Sequence, residues 1–157
     1  MERKYAEFAA TKACELLAID SPSGYTRKAA TWVKEAFEAL GFAAKITTKG
    51  GVLADLGGAD KDDALFLQAH TDTLGAMVAE VKANGRLKLT PLGGLRAENA
   101  ETENVRVHTR TGKIIEGTVQ LCNASVHVNG EYGEAKRTFD TVEAVLDEDV
   151  KTAEDTR

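Results

Sequence analysis

Residues 64–73, with the sequence ALFLQAHTDT, contain the feature that most constrains the fold of this chain. The apolar run 64–67 shows no alternation of apolar and polar side chains, which is typical of a strand covered on both faces in a parallel sheet. His70 and Asp72 follow this run directly. Because ligands of open α/β sheets bind where the strands end, we predict a functional site at these two residues.

The pair His70 and Asp72 has the chemistry of a metal ligand and its supporting group. An imidazole binds a metal ion through one ring nitrogen, while a nearby carboxylate accepts the proton of the other nitrogen and so fixes the tautomer. The pattern His-x-Asp is short and common, and its other interpretation is a hydrogen-bonded histidine near a solvated aspartate. The pattern and its predicted position leave both interpretations open.

The residues before this run predict helices and strands in turn. Apolar side chains recur at helical spacing in residues 3–18 and 26–40, with Trp32 in the core-facing stripe of the second helix. Ser23 is a candidate cap near the start of that helix, and Gly41 stands where a left-handed residue commonly ends one. Strands are expected around a glycine turn, at residues 42–47 and 52–56.

After Asp72 the pattern changes to short strands. Asn84 and Gly85 are a strong hairpin signal between the predicted strands 76–82 and 87–90. Further strands are predicted at residues 104–110, 114–121 and 141–146. Strands of this spacing favour a small barrel or sandwich. Residues 150–154 are expected to begin a helix.

The charge balance and the apolar pattern argue against two classes of partner, nucleic acid and membrane. The 157 residues include 20 Lys and Arg and 25 Asp and Glu, a formal net charge of −5 without a basic tract, which argues against nucleic acid. No signal peptide or bilayer-spanning apolar run is evident, so we expect no membrane partner and a cytoplasmic location. Cys14 and Cys122 fit neither a disulfide framework nor a metal site, and we expect both to be small buried side chains.

An ordered set of short motifs resembles one family. The motifs are IDSPSG at residues 19–24, AHTDTLGAMV at 69–78, LGG at 92–94, VRVHTRTGK at 105–113 and VHV at 126–128. In this order and spacing the chain is similar to the two-metal aminopeptidases, which include glutamyl, deblocking and tetrahedral aminopeptidases. The resemblance covers essentially all of the chain.

This resemblance implies an α/β fold, namely the N-terminal part of a mixed-sheet metallopeptidase domain interrupted by a small all-β, barrel-like inserted domain. Residues 1–74 would be the N-terminal part of the catalytic domain. Residues 75–148 would be the inserted dimerisation domain, and residues 149–157 would begin the return to the catalytic domain. The resemblance also implies a homodimer that assembles into a homo-dodecamer.

The activity that the resemblance implies is hydrolysis of N-terminal residues from peptides by a water activated with two divalent metal ions, zinc or cobalt. His70 would be a metal ligand and Asp72 the residue that orients it. The other ligands and the base of this family follow the inserted domain, beyond Arg157. We therefore expect the 157-residue chain alone to be inactive.

Other titratable residues are expected to be structural. Alternation places His108 on a solvent or interface face, and His127 resembles a non-ligand histidine of the family's inserted domain. We expect residues 98–103 to form a solvated loop rather than a carboxylate cluster, although they include Glu98, Glu101 and Glu103.

Two functions of different classes therefore stand side by side. The first is the N-terminal portion of a metalloaminopeptidase, and the second is a non-catalytic assembly or binding module that acts through the β domain. A third, glycan hydrolysis, is a label that some members of this family have carried. It normally requires paired carboxylates that flank the scissile bond, and no such pair can be assigned here.

Overall fold

A computed structural model describes residues 2–60 and 62–156, which form two compact units divided between Leu74 and Gly75. The first unit contains two helices and a strand pair, and the second contains a five-stranded sheet and two short helices. This content agrees with the predicted α/β class. The assignment of the second unit as an inserted domain stays a prediction. Among the described residues, no helix combines the length and the apolar character needed to cross a membrane.

The first unit packs helix α2 against a β-hairpin. Helix α1 spans Arg3–Leu17 and α2 spans Arg27–Ala39, and the antiparallel strands are β1 (Ala43–Ile46) and β2 (Val52–Asp55). Each helix ends within one residue of its predicted limits. Gly41 has φ 88°, the left-handed conformation predicted after α2. Both strands contact α2. The two predicted helices, the glycine after α2 and the strand pair around the glycine turn are therefore confirmed.

The strand predicted at residues 64–67 is absent. Leu65, Phe66 and Leu67 belong to no strand and are 85%, 72% and 73% exposed. The sheet of this unit has only β1 and β2 among the described residues and does not extend to them. A strand that is covered on both faces needs hydrogen-bonding neighbours and two packed layers, and the described part of this unit supplies neither.

Both cysteines are exposed, so their prediction as buried side chains is wrong. Cys14 lies on α1, which has no buried residue, and Cys122 directly follows a strand of the second unit.

Trp32, on helix α2 of the first unit, is half-buried, with Lys12 Nζ 5.6 Å from the centroid of its ring, a cation–π distance. The apolar faces of this unit are therefore only partly covered by its own described residues.

The described residues of the second unit form one antiparallel sheet, not the two facing sheets of a sandwich. Its strands lie in the order β3-β4-β7-β6-β5. Gly85 has φ 77° in the turn between the first two strands, so the predicted hairpin is confirmed. The strands are β3 (Gly75–Val81), β4 (Leu87–Leu92), β5 (Asn104–His108), β6 (Ile114–Leu121) and β7 (Val142–Leu146).

The core of this unit combines three strands with a short helix that the sequence pattern does not predict. Helix α3 (Ala97–Ala100) buries its first and last residues against β4, β6 and β7. Glu101 follows it and pairs with Arg137 at 2.8 Å, and the two side chains are only 15% and 18% exposed. The prediction of a solvated loop at residues 98–103 is therefore wrong for the helical turn and for Glu101, whereas Glu98 and Glu103 are exposed. The two alanines pack against the sheet, and the largely covered charge of Glu101 is paired.

A last helix covers the turn of the β3–β4 hairpin. Helix α4 (Ala153–Thr156) confirms the predicted helix start. The main-chain N–H of Ala153 donates to Ala83 O at 3.2 Å, and Thr156 Oγ1 donates to Gly85 O at 2.8 Å. A Cβ atom at Gly85 would clash with Val150 Cγ1 and would lie 2.8 Å from Thr152 O. Glycine is therefore required there for its conformation and for space.

Glu143 is a buried charge that joins β7 to the β3–β4 hairpin. Its side chain is 2% exposed and accepts hydrogen bonds from Lys82 Nζ and from Arg86 Nη1, the latter at 2.6 Å. Burial raises the pKa of this carboxyl, but the bonds from the two cations outweigh burial, and the pKa lies below its usual value. Glu143 in turn raises the pKa of Lys82. The carboxylate is therefore ionised and paired inside the unit.

Replacing Glu143 by glutamine keeps the shape of the side chain and removes its charge. We expect the free energy of local opening of β7 to fall by about 1–3 kcal/mol at neutral pH, because a buried, charge-assisted pair of hydrogen bonds is weakened. Amide hydrogen exchange in β4 and β7 measures this change. Since the pKa of Glu143 is lowered from 4.5, the carboxylate stabilises the fold above that pH and loses its effect as the pH falls through the lower folded-state value. The difference between the two proteins should shrink over the same range.

The matched control is Asp140→Asn. Its carboxylate pairs with Lys88 at 2.8 Å but is 82% exposed, so exchange in β4 and β7 should not change. Equal protection of β7 in the wild type and Glu143→Gln at neutral pH would contradict this account.

Candidate functional site

The segment that carries the candidate residues lies alongside the loop that follows α1. Pro22 and Thr73 form an isolated parallel bridge. The N–H of Thr73 donates to Ser21 O, and Ser21 Oγ donates to Thr71 O, each at 2.9 Å. A residue before proline is biased towards extended backbone, which suits Ser21 to this pairing. Ser21 is 1% exposed, so its hydroxyl is shielded from competing water.

The carboxylate of Asp72 is held by one side chain on each oxygen. Ser23 Oγ donates to Oδ2 at 2.6 Å, and His70 Nδ1 lies 3.1 Å from Oδ1. The hydrogen bond from Ser23 is the main cause that holds the pKa of Asp72 below its usual value; partial burial opposes it and His70 adds to it. Asp72 is therefore an anion at neutral pH.

The contacts of His70 determine which ring nitrogen is protonated. Nδ1 lies 3.1 Å from Oδ1 of Asp72 and 3.1 Å from its main-chain oxygen. Both oxygens are acceptors, so Nδ1 carries the proton and Nε2 keeps its lone pair. The side chain of His70 is 84% exposed. Nε2 is thus the nitrogen through which this residue can bind a metal ion.

The structure brings together the two predicted site residues and adds a third, Ser23, which the sequence pattern predicts as a helix cap. His70 and Asp72 lie in irregular backbone rather than at the end of a buried strand. Ser23 does not cap α2, because Thr26 occupies the N-cap position, without a side-chain cap hydrogen bond. The hydroxyl of Ser23 contacts Asp72, 49 residues away. A contact between such distant residues has no local signal in the sequence.

The other histidines and carboxylates do not extend this site into a metal centre. His108 is half-buried at the end of β5, and His127 is exposed on a loop of the second unit. Within residues 2–60 and 62–156, no three or more His, Cys, Asp or Glu side chains come together as a set of ligands. A two-metal centre needs several such groups. His70 fits as one ligand, and this part of the chain does not complete a pair of metal sites.

Comparisons with known proteins match the chain to one family. Residues 50–157, more than half of the chain, match the family model Peptidase_M42, described as M42 glutamyl aminopeptidase. The chain is 39% identical over 142 residues to the protein named "Putative aminopeptidase YhfE" of Bacillus subtilis (strain 168). That match covers 90% of this chain and 41% of YhfE, so the chain spans about two fifths of the length of this relative.

Solved structures show the same fold. The TET aminopeptidase of the marine sediment archaeon Thaumarchaeota archaeon SCGC AB-539-E09 matches with a TM-score of 0.74 and 21% identity, over 94% of this chain and 41% of that one. PhTET1-12s, described as a dodecamer in the asymmetric unit, matches with a TM-score of 0.72 and 18% identity, over 93% and 41%. At these identities the likeness concerns the fold alone.

The anchoring of this segment by Ser21 can be measured directly. In Ser21→Ala the carbonyl of Thr71 loses its hydroxyl donor, and we expect a local loss of about 1 kcal/mol, or about fivefold faster exchange of the Thr73 amide. Ser125→Ala, at an exposed loop position, is the control and should leave this amide unchanged. Unaltered exchange of Thr73 in Ser21→Ala would show that the hydroxyl does not anchor the segment.

Proposed function

The chain belongs to the M42 glutamyl aminopeptidase family, as the order of its motifs predicted, and we propose that it forms the N-terminal portion of a metal-dependent aminopeptidase. The complete protein would remove N-terminal residues from peptides. The observation that supports this proposal most is the orientation of His70, whose Nδ1 faces an ionised Asp72. That arrangement leaves Nε2 as the nitrogen for a metal ion.

Two divalent ions, zinc or cobalt, are the cofactors we propose for the complete protein. Both metals accept imidazole and carboxylate ligands. When bound, they supply an activated water for attack on the peptide carbonyl. In this chain, His70 would hold one ion, while Asp72 would keep the proton on Nδ1 and the ring in place. The remaining ligands and the general base would come from other parts of the complete protein.

We also propose that residues 1–74 and 149–157 belong to a catalytic domain and that residues 75–148 are an inserted domain through which copies of the protein associate. Strand β3 is an edge strand of its sheet, and Met77 on it is 57% exposed. An exposed apolar edge favours contact with a second copy. A homodimer that assembles into a homo-dodecamer would fit the dodecameric description of PhTET1-12s. The same edge supports the second candidate function, a non-catalytic assembly module.

Substitutions at the two site residues test the proposed metal role in the complete protein. His70→Ala removes a ligand, so we expect loss of bound metal and of most peptidase activity. Asp72→Asn keeps the shape but removes the charge that orients the ring, and metal affinity should fall by about 10–100-fold. Metal analysis and turnover of an N-terminal-residue substrate measure the two effects, and His127→Ala is the control. Unchanged metal content and activity in His70→Ala would overturn the assignment.

The 157-residue chain itself should show no aminopeptidase activity, even with added zinc or cobalt. One imidazole and its supporting carboxylate cannot hold two ions at the separation of roughly 3.5–4 Å that a co-catalytic pair requires. Assays of the purified chain with leucine- and glutamate-p-nitroanilide, with each metal in turn, test this expectation. Metal-dependent turnover that disappears in His70→Ala would contradict it, because the chain would then build a working site from its own residues.

A further inference from the structure

We infer that Ser23 is a positioning residue for the metal-ligating histidine, an inference that rests on the proposed function. Its hydroxyl holds one oxygen of Asp72, and this leaves the other oxygen to face Nδ1 of His70. Ser23 would not touch the metal or the substrate. It would act through Asp72 on the tautomer and the direction of the imidazole.

Hydrogen bonds rather than packing orient the ring of His70. Its side chain is 84% exposed, and that of Asp72 is 42% exposed. The imidazole is mostly exposed and the carboxylate is partly exposed, so an Asp72 carboxylate without Ser23 could rotate and accept hydrogen bonds from water instead of from Nδ1. The bond from Ser23 opposes that rotation. At 2.6 Å, with an ionised acceptor, it belongs to the short, strong class of charge-assisted hydrogen bonds.

The backbone around Ser23 is itself fixed, which makes this residue a suitable support. Pro22, immediately before it, forms the bridge with Thr73. Immediately after it, Gly24 has φ 89°, and the N–H of Tyr25 donates to Pro22 O at 2.7 Å, which closes a turn. The hydroxyl is therefore presented to Asp72 from a constrained turn.

The loss of this hydroxyl has a specific consequence for the imidazole. In a free neutral imidazole side chain the proton prefers Nε2. A protonated Nε2 has no lone pair with which to bind a metal ion. Asp72 reverses this preference while Oδ1 faces Nδ1. The main-chain oxygen of Asp72 also lies 3.1 Å from Nδ1. Removal of the Ser23 hydroxyl should therefore shift the tautomer only in part.

The decisive experiment is ¹⁵N NMR of His70 in the metal-free chain at about pH 8. We expect the wild type to be protonated at Nδ1 and Ser23→Ala to gain a substantial Nε2-protonated fraction. Ser23→Thr and Ser23→Val form a matched pair, since their side chains have the same shape and differ in the hydroxyl. The threonine should keep the wild-type tautomer, and the valine should behave as the alanine does.

The pair Ser23→Thr and Ser23→Val also distinguishes an effect on the histidine ring from an effect on the folding of the loop. If Ser23→Ala disturbs the loop, as judged by exchange of the Thr73 amide, the comparison of threonine with valine decides the question. In the complete protein, Ser23→Ala should lower metal affinity by about tenfold, the lower limit for outer partners of a ligand, and Ser23→Thr should restore it.

The two hypotheses fail in different experiments. A wild-type tautomer in both Ser23→Ala and Ser23→Val would overturn the role of Ser23 and leave the proposed function intact, because the measurement needs no metal. Full metal content in His70→Ala of the complete protein would overturn the proposed function. The tautomer result would then still describe the effect of Ser23 on the ring.

Discussion

The pairing of Pro22 with Thr73 is the contact on which the candidate site depends. In the described part of the chain, the residues that lead up to His70 are exposed and belong to no strand, so they do not hold the histidine through a sheet. The bridge and the hydroxyl of Ser21 fix the backbone of residues 71–73 instead. From that fixed backbone, Asp72 can be oriented by Ser23 and can in turn orient the imidazole. The chemistry proposed for His70 thus depends on a contact between two loops.

The second unit is stabilised in a different way. Its strands form one antiparallel sheet with a core on one face, and neighbouring strands are mostly neighbours in sequence. Where the hairpin meets β7, the buried Glu143 takes one hydrogen bond from Lys82 and one from Arg86. Burial of that carboxylate is tolerated because both of its oxygens are paired with cations. This unit therefore carries its own core and ionic junction.

The elements that could be predicted from the sequence are those with a local signal. The period of α1 and α2, the glycine that ends α2 and the turn at Asn84 and Gly85 each depend on residues a few positions apart. The predicted strand at residues 64–67 failed because an apolar run indicates that burial would be favourable, but not that neighbouring strands are available. The prediction that Glu101 is solvated failed for a related reason. The partner that covers this side chain, Arg137, lies 36 residues away in the sequence.

The two central residues of the candidate site could be predicted from the sequence, but the residue that supports them could not. His70 and Asp72 are close in sequence, and their chemistry is visible in the pattern itself. Ser23 reaches Asp72 only through the loop pairing, which depends on the fold of the first unit.

The central claim is that Nε2 of His70 binds a catalytic metal ion in a complete protein that contains this chain. A crystal structure of that protein, with anomalous scattering recorded at the metal edge, tests it most directly. Our account predicts a metal ion about 2.0–2.1 Å from Nε2, with Nδ1 on Asp72 and Ser23 on the other oxygen of that carboxylate. A bound metal pair whose coordination does not include His70 would contradict it.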